Sequence, residues 1–320
     1  MSSGNVKVSI VIPVYNMGNY LEASLGSARA QTLRDIELIC INDGSTDNSE
    51  AILNTLAARD SRIRVISHEN RGVAAARNEG IAAAAGEYVA FLDPDDLYPA
   101  PDVLELLYRK AHEHNVAICG GEMEQFTPES PTPIQNYKGD YAGFLFPCEG
   151  RFHYRDYQFD YGFYRFIYSR QLLLEHRIIF PHYTRFQDPP FMVAAFMAAG
   201  DFYAISRPTY SYRVEHKEVN WTPQKSADVY QGIYDIWQQA SMQHLPRLKR
   251  HAWARIREHY PATAHLLTPE QQQFINEVET DQNPQRRTLR YKLFSKDKNF
   301  ADPRRRALTI LGITYIYSRR

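Results

Sequence analysis

Glu87-Tyr88-Val89-Ala90-Phe91-Leu92-Asp93-Pro94-Asp95-Asp96 is an apolar run that ends abruptly in acid. It is short and has no helical period, so it reads as a buried strand. Three carboxylates within four residues then repel one another, and holding them at a sheet end is costly unless something positive sits on them. A divalent cation is the simplest such object, because Mg2+ and Mn2+ take oxygen ligands and bridge to phosphates. Pro94 fixes one backbone dihedral, so the acids are presented by a stiff turn. The competing reading is an acidic turn that caps the next helix, with Asp95 or Asp96 near its N-cap. This stretch alone does not separate the two.

Before it, strands and helices alternate. Val6 to Val14 is a β-branched run, hence a buried and parallel strand, and it ends at Pro13-Val14-Tyr15-Asn16. An amphipathic helix is expected from about Tyr20 to Ala30, a strand over Ile36 to Ile41, a helix from Glu50 to Ala58 and a strand over Ile63 to Ser67. The alanine run after Arg71-Gly72 is helical, with Gly80 or Gly86 as its stop. A helix over Asp102 to His112 and a strand over Val116 to Cys119 follow. This order predicts an α/β fold, a doubly wound and mostly parallel sheet flanked by helices. Ligands of such sheets bind at the carboxyl ends of the strands. Tyr15 and Asn16, Asp43, and Asp93 to Asp96 all fall there.

Tyr141 to Tyr168 is dense in aromatic residues and reads as a packed second layer, with one or two rings available to line an acceptor cleft. Arg170 to Arg177 reads as a helix, and Met192 to Ala199 as another, opened by Phe186 to Phe191 and stopped at Gly200. Phe202 to Ile205 and Thr209 to Tyr212 are strand-like. Helical period returns over Asp228 to Ala240, Arg247 to Tyr260 and Pro269 to Val278. The expected division is one domain over residues 1–221, in two halves at about 5–125 and about 126–221. A helical, basic extension over 222–320 follows.

Formal net charge is zero, which gives no overall signal for nucleic acid. The zero hides an asymmetry: Arg286 to Arg320 holds only Asp297 and Asp302 as acids among many Arg and Lys residues, with apolar residues interleaved. That suits contact with an anionic membrane surface, and equally a subunit contact with a solvated basic face. Cys40, Cys119 and Cys148 lie far apart and read as small buried hydrophobes in a reducing compartment. Neither a signal peptide nor a spanning run of about 18 apolar residues is seen. The expected location is cytoplasmic, visiting the inner face of the plasma membrane.

Four motifs now stand in order: Ile12-Pro13-Val14-Tyr15-Asn16, then Asn42-Asp43-Gly44-Ser45-Thr46-Asp47, then Asn70-Arg71-Gly72 with Ala76-Arg77-Asn78-Glu79-Gly80, then Phe91 to Asp96. Together they resemble glycosyltransferase family 2, inverting enzymes with the GT-A fold. The resemblance runs over about residues 5–125 and returns at Phe186 to Asp188 and Tyr212 to His216. It implies that Pro13, Tyr15 and Asn16 meet the donor nucleotide and that Asp43 hydrogen-bonds its base. Arg77 would face base or diphosphate, and Asp96 and Arg213 would also lie on the donor. Asp93 would reach ribose or metal, and Asp95, in a DXD-type motif, would hold Mn2+ or Mg2+, with His216 completing the metal shell or touching the diphosphate. Asp188 would be the catalytic base. Its neighbour is Gln187 where the family's pattern has Glu, which puts one charge in doubt.

The chemistry stands beside the resemblance. Transfer from a nucleoside diphosphate sugar needs a neutralised diphosphate, which a Lewis-acidic ion supplies, and a carboxylate to take the acceptor's proton. In a single displacement base and leaving group lie on opposite sides of the sugar, so the acids should come from distant segments; Asp93 to Asp96 and Asp188 do. The expected activity moves a hexose or N-acetylhexosamine from a UDP-sugar to a hydroxyl of a glycan or lipid-linked glycan, with lipopolysaccharide, capsule and teichoic acid as candidates. Two other readings compete. A nucleotidyltransferase would want a basic phosphate loop after the first strand, which Tyr15-Asn16-Met17-Gly18-Asn19 lacks. A non-catalytic nucleotide-sugar or glycan-binding protein would have no need of an intact Asp188. A homo-oligomer is compatible with all three.

Overall fold

The computed structural model describes residues 6–127, 132–214, 220–263, 265, 267–281, 305–310 and 313–318. In chain order the elements are β1 Val8–Val14, α1 Gly18–Arg29, β2 Ile36–Asp43, α2 Ser49–Arg59, β3 Ile63–His68, α3 Val73–Ala83, β4 Tyr88–Phe91, α4 Val103–Glu113 and β5 Ile118–Phe126. Then come β6 Gly150–His153, α5 Tyr154–Tyr157, β7 Phe166–Ser169, α6 Arg170–Glu175, α7 Asp188–Ala199, β8 Asp201–Arg213, α8 Pro223–Met242, α9 Pro246–Thr263, α10 Pro269–Asp281, β9 Arg305–Ile310 and β10 Ile313–Ser318.

An eight-stranded sheet runs in the order β3-β2-β1-β4-β7-β5-β8-β6. β3, β2, β1 and β4 are parallel, as the alternation of strands and helices requires. Side chains alternate across the pleat. Ile10 and Ile12 of β1 therefore join Leu21 and Leu25 of α1 in one core cluster. Val11 points the other way, against α3, where Gly80 lets helix and strand touch: a Cβ there would lie 2.2 Å from Val11 Cγ1. Gly80 is thus a close-packing position inside α3 and does not end it.

Beyond β4 the sheet departs from the expected order. β7, from the aromatic stretch, runs antiparallel between β4 and β5. Phe166, Ile167 and Tyr168 are at most 1% exposed, so both faces of this short strand are covered. Phe163 of the same stretch joins Phe180 and Phe191, from further along the chain, around Phe91 at centroid distances of 5.3, 5.3 and 5.5 Å. The two strand-like pieces near 202–212 are one strand, β8, parallel to β5 with register shifts between Gly120 and Met123. Those shifts absorb Pro208, which carries no N–H for the ladder. Cys40 and Cys119 are buried but Cys148 is exposed, so it is no core hydrophobe.

Two compact units divide the chain, Met1–Leu267 and Thr268–Arg320. The expected boundary after 221 does not coincide with this division, because α8 and α9 belong to the first unit. Leu248, Ala252 and Ile256 of α9 are at most 1% exposed, and Arg255 pairs with the buried Asp160. The second unit contains α10 and an antiparallel pair of β9 and β10, so the extension is not helical throughout. Residues 286–304 lie outside the described residues.

Candidate active site

The carboxyl ends of β1 and β2 are sewn together by side chains. Asn16, at φ 54°, accepts from Thr46 N at 2.8 Å through Oδ1 and donates its own N–H to Ser45 Oγ at 3.1 Å. Asn tolerates this left-handed conformation better than most residues. Pro13 lies beyond Val11↔Phe91, the last pair that β1 makes with β4, so its missing N–H breaks no rung on that side. Tyr15 next to it is 46% exposed, an open ring at the sheet edge. Asp43 is buried at the end of β2, where Oδ1 accepts from Arg71 N at 2.7 Å and Oδ2 from Gly72 N at 2.9 Å. Asp43 therefore fixes the loop that opens α3.

Asp93 to Asp96 form the stiff turn that Pro94 predicts: Asp96 N donates to Asp93 O at 3.0 Å. The three acids are not equivalent. Asp96 is 1% exposed and clamps β8, accepting from Tyr210 Oη at 2.8 Å and Arg213 N at 2.7 Å. Burial raises its pKa well above the ordinary carboxylate range, and the charges of Asp93 and Asp95 push in the same direction. Tyr210 Oη also accepts from Asp93 N at 3.0 Å, and Arg213 Nε donates to Asp95 O at 2.8 Å. Arg213 is thus placed at the acids, with its guanidinium 4.5 Å from the Phe126 ring.

Arg77 joins the two halves of the site. Its Nη2 donates to Asp93 Oδ1 and its Nη1 to Asp188 Oδ1, both at 2.7 Å. Only 4% of the Arg77 side chain is exposed, against 22% for Asp93 and 37% for Asp188. Phe163 and Phe180 lie under the guanidinium at 4.8 and 5.2 Å, a cation–π setting that suits a desolvated Arg. The next residue, Asn78, exchanges two hydrogen bonds with the backbone of Phe180, each 2.8 Å. Helix α3 thereby fastens the segment that leads to Asp188. Asp188 opens α7, followed by Pro189 and Pro190, where a carboxylate favours the helix dipole. Desolvation in the cleft raises the Asp188 pKa; Arg77 opposes this and Asp93 adds to it. Gln187 is 7% exposed, and its Oε1 is buried without a hydrogen-bond partner.

Arg77, expected at base or diphosphate, is committed here to two carboxylates. Sequence reasoning missed Tyr210 and Tyr164. Tyr164 stacks on Tyr210 at 4.1 Å and on Tyr212 at 5.7 Å. The period-two pair Tyr210 and Tyr212 was the signal available for one aromatic face of a strand. His216 lies outside the described residues.

Among the described residues no group of three or more His, Cys, Asp and Glu is poised as a metal cluster. The donor chemistry nevertheless fits a hard cation. Asp93 and Asp95 are oxygen donors, and Mg2+ and Mn2+ sites of this kind take one or two carboxylates and complete the shell with phosphate and water. Burial is the main cause of the raised Asp96 pKa, and the like charges of Asp93 and Asp95, which a cation would offset, add to it.

Fold and site together define an α/β protein whose acids converge at the carboxyl edge of a mostly parallel sheet, the place where such sheets bind nucleotides. A family model described as glycosyl transferase family 2 matches residues 9–179, and the chain belongs to that family. An uncharacterized glycosyltransferase, EpsJ of Bacillus subtilis, is 33% identical over 223 residues, covering 69% of this chain and 64% of that protein. Chondroitin synthase of Pasteurella multocida is 40% identical over 112 residues, 35% of this chain and 12% of that one. The chain thus matches less than two thirds of the length of either relative. Among solved structures, S. aureus TarS 1–349 in complex with UDP-GlcNAc has the same fold, with a TM-score of 0.62 at 20% identity over 86% of this chain and 80% of that one.

Proposed function

We propose that this chain transfers a hexose or N-acetylhexosamine, with inversion, from a UDP-sugar to a hydroxyl of a bacterial surface glycan. The observation that carries the reading is the double ion pair of Arg77. It brings Asp188, from a distant segment, beside the carboxylate turn at Asp93. Asp188 takes the proton of the acceptor hydroxyl as that oxygen attacks the anomeric carbon. The bond to the diphosphate oxygen breaks on the opposite side through an oxocarbenium-like transition state. Arg77 holds Asp188 in place and favours its ionised form. Tyr15 and the loop fixed by Asn16 and Asp43 form the nucleotide end, and Arg213 adds positive charge beside the acids. Asp95 and Asp93, with His216, would hold Mn2+ or Mg2+, which supplies charge neutralisation to the leaving diphosphate.

Support for the donor comes from the shared fold with TarS, which has been solved with UDP-GlcNAc and with UDP. Support for the acceptor class comes from relatives such as chondroitin synthase. No helix among the described residues is long and apolar enough to cross a membrane. The basic composition of Arg286 to Arg320 supports contact with an anionic membrane surface, where lipid-linked acceptors lie. Titration calorimetry with UDP, GDP and CMP, with and without Mn2+, tests the donor site. UDP is expected to bind, and to depend on Mn2+, with that dependence abolished in Asp95→Ala. Equal binding of all three nucleotides without metal would refute the reading.

A further inference from the structure

The segment Tyr183 to Gln187 delivers Asp188 to the site, and α8 grips it at successive turns. Asp228 Oδ2 accepts from both Thr184 N and Thr184 Oγ1 at 2.6 Å, while Gln224 Nε2 donates to Oδ1 at 2.8 Å. Asp228 is 6% exposed, so these charge-assisted bonds are shielded from water. One turn on, Gly232 leaves room for Phe186: a Cβ there would come 2.7 Å from Phe186 Cδ1 and 3.2 Å from Phe186 O. Asp235 Oδ2 then accepts from Tyr183 Oη at 2.6 Å. The spacing of Asp228, Gly232 and Asp235 puts all three on one face of the helix. Phe186 has φ 68°, a conformation that a bulky side chain keeps only when its surroundings dictate it. From α9, Arg255 lies 5.4 Å from the Phe186 ring, with its charge balanced by Asp160.

We propose that α8 is the positioning element of Asp188, with Asp228 and Gly232 as positioning residues. The inference rests on Asp188 being the base. A base must stand within hydrogen-bond reach of the proton it takes, and a displacement of about 1 Å costs on the order of a hundredfold in rate. The donor acids are held by β8 through Asp96 and by Arg77 of α3, so, although Arg77 also reaches Asp188, loosening α8 is expected to leave the nucleotide site intact.

The test uses full-length Asp228→Ala, Asp228→Asn and Gly232→Ala, with Asp188→Asn as control, at a temperature where circular dichroism shows each folded. UDP affinity is read by calorimetry with Mn2+. Turnover is read as UDP release to water from whichever of UDP-glucose, UDP-galactose and UDP-GlcNAc the parent protein hydrolyses fastest. Backbone hydrogen exchange is compared over residues 183–190 and 88–96. Asp228→Ala and Gly232→Ala are expected to keep UDP affinity within about twofold and to lose about ten- to a hundredfold in turnover. Exchange should accelerate over 183–190 only. Asp228→Asn, which keeps an acceptor for Thr184, should recover part of the rate. Parental turnover in folded Asp228→Ala and Gly232→Ala, or unchanged exchange over 183–190, overturns the proposal, since a merely structural contact would leave the rate of the folded variant alone. If Asp188→Asn is slow while the α8 variants are fast, only the clamp falls. If Asp188→Asn is itself fast, the base assignment falls and the clamp with it.

Discussion

Arg77 is the residue on which the proposed chemistry turns, because one buried guanidinium serves two carboxylates from different parts of the chain. Its planar fork gives each acid its own nitrogen in a fixed geometry, where a lysine would offer one rotatable point charge to both. Asp188→Asn is expected to lower turnover by about a hundredfold or more while UDP affinity stays at the parental level. The pH profile follows from the causes of the Asp188 shift. Burial raises its pKa, so the proton-accepting form is lost as pH falls through a value higher than that of a free aspartate. Arg77 acts in the other direction. Removing it in Arg77→Gln should therefore move the acid limb of kcat to higher pH, which steady-state rates measured across the acid limb would detect. An acid limb that stays in place would mean that Arg77 does not set the ionisation of Asp188.

At the scale of elements, the contact of α3 with β1 decides whether the motif Arg77-Asn78 reaches the site at all. Gly→Ala inside a helix ordinarily stabilises by about 1 kcal/mol. At Gly80 the added Cβ would lie 2.2 Å from Val11 Cγ1, so overpacking wins. Gly80→Ala is expected to lower stability by about 1–3 kcal/mol in urea unfolding and to reduce turnover more than UDP affinity, since α3 carries Arg77. The parallel strands and their helices were legible because each shows a β-branched run or a helical apolar period. β7 was not: it is four residues long, lies among other aromatic residues and has both faces covered, so no alternation marks it. The bulged β8 read as two pieces for a similar reason, since Pro208 interrupts its pattern.

For the whole molecule the question is where the catalytic unit stops. α8 and α9 bring Asp228, Gly232 and Arg255 to the segment before Asp188, and Arg255 neutralises Asp160, which is 0% exposed. A chain ending at residue 267 is expected to unfold cooperatively and to bind UDP as the full chain does, with loss of binding to vesicles carrying anionic lipid. A chain ending at residue 221 leaves Asp160 without its partner. Breaking a buried pair on one side costs about 3–5 kcal/mol, a large part of the 5–15 kcal/mol that typically holds a domain. Thermal unfolding followed by circular dichroism distinguishes the two chains; a stable, UDP-binding 1–221 fragment would show that α8 and α9 are dispensable.

The sequence by itself determined the parallel half of the sheet, the turn of acids at its carboxyl edge and, through the family resemblance of its motifs, the candidacy of Asp188. All of these are written in local periodicity, in turn chemistry and in short motifs that a single stretch can carry. Tertiary structure decided what the acids do. Asp96 and Asp43 brace the backbone, Asp93 and Asp188 share Arg77, and α8 grips the segment before Asp188. Each of these roles depends on a partner far away in the chain, and a carboxylate's pKa and purpose are set by the charges and dipoles that folding brings within a few ångströms of it.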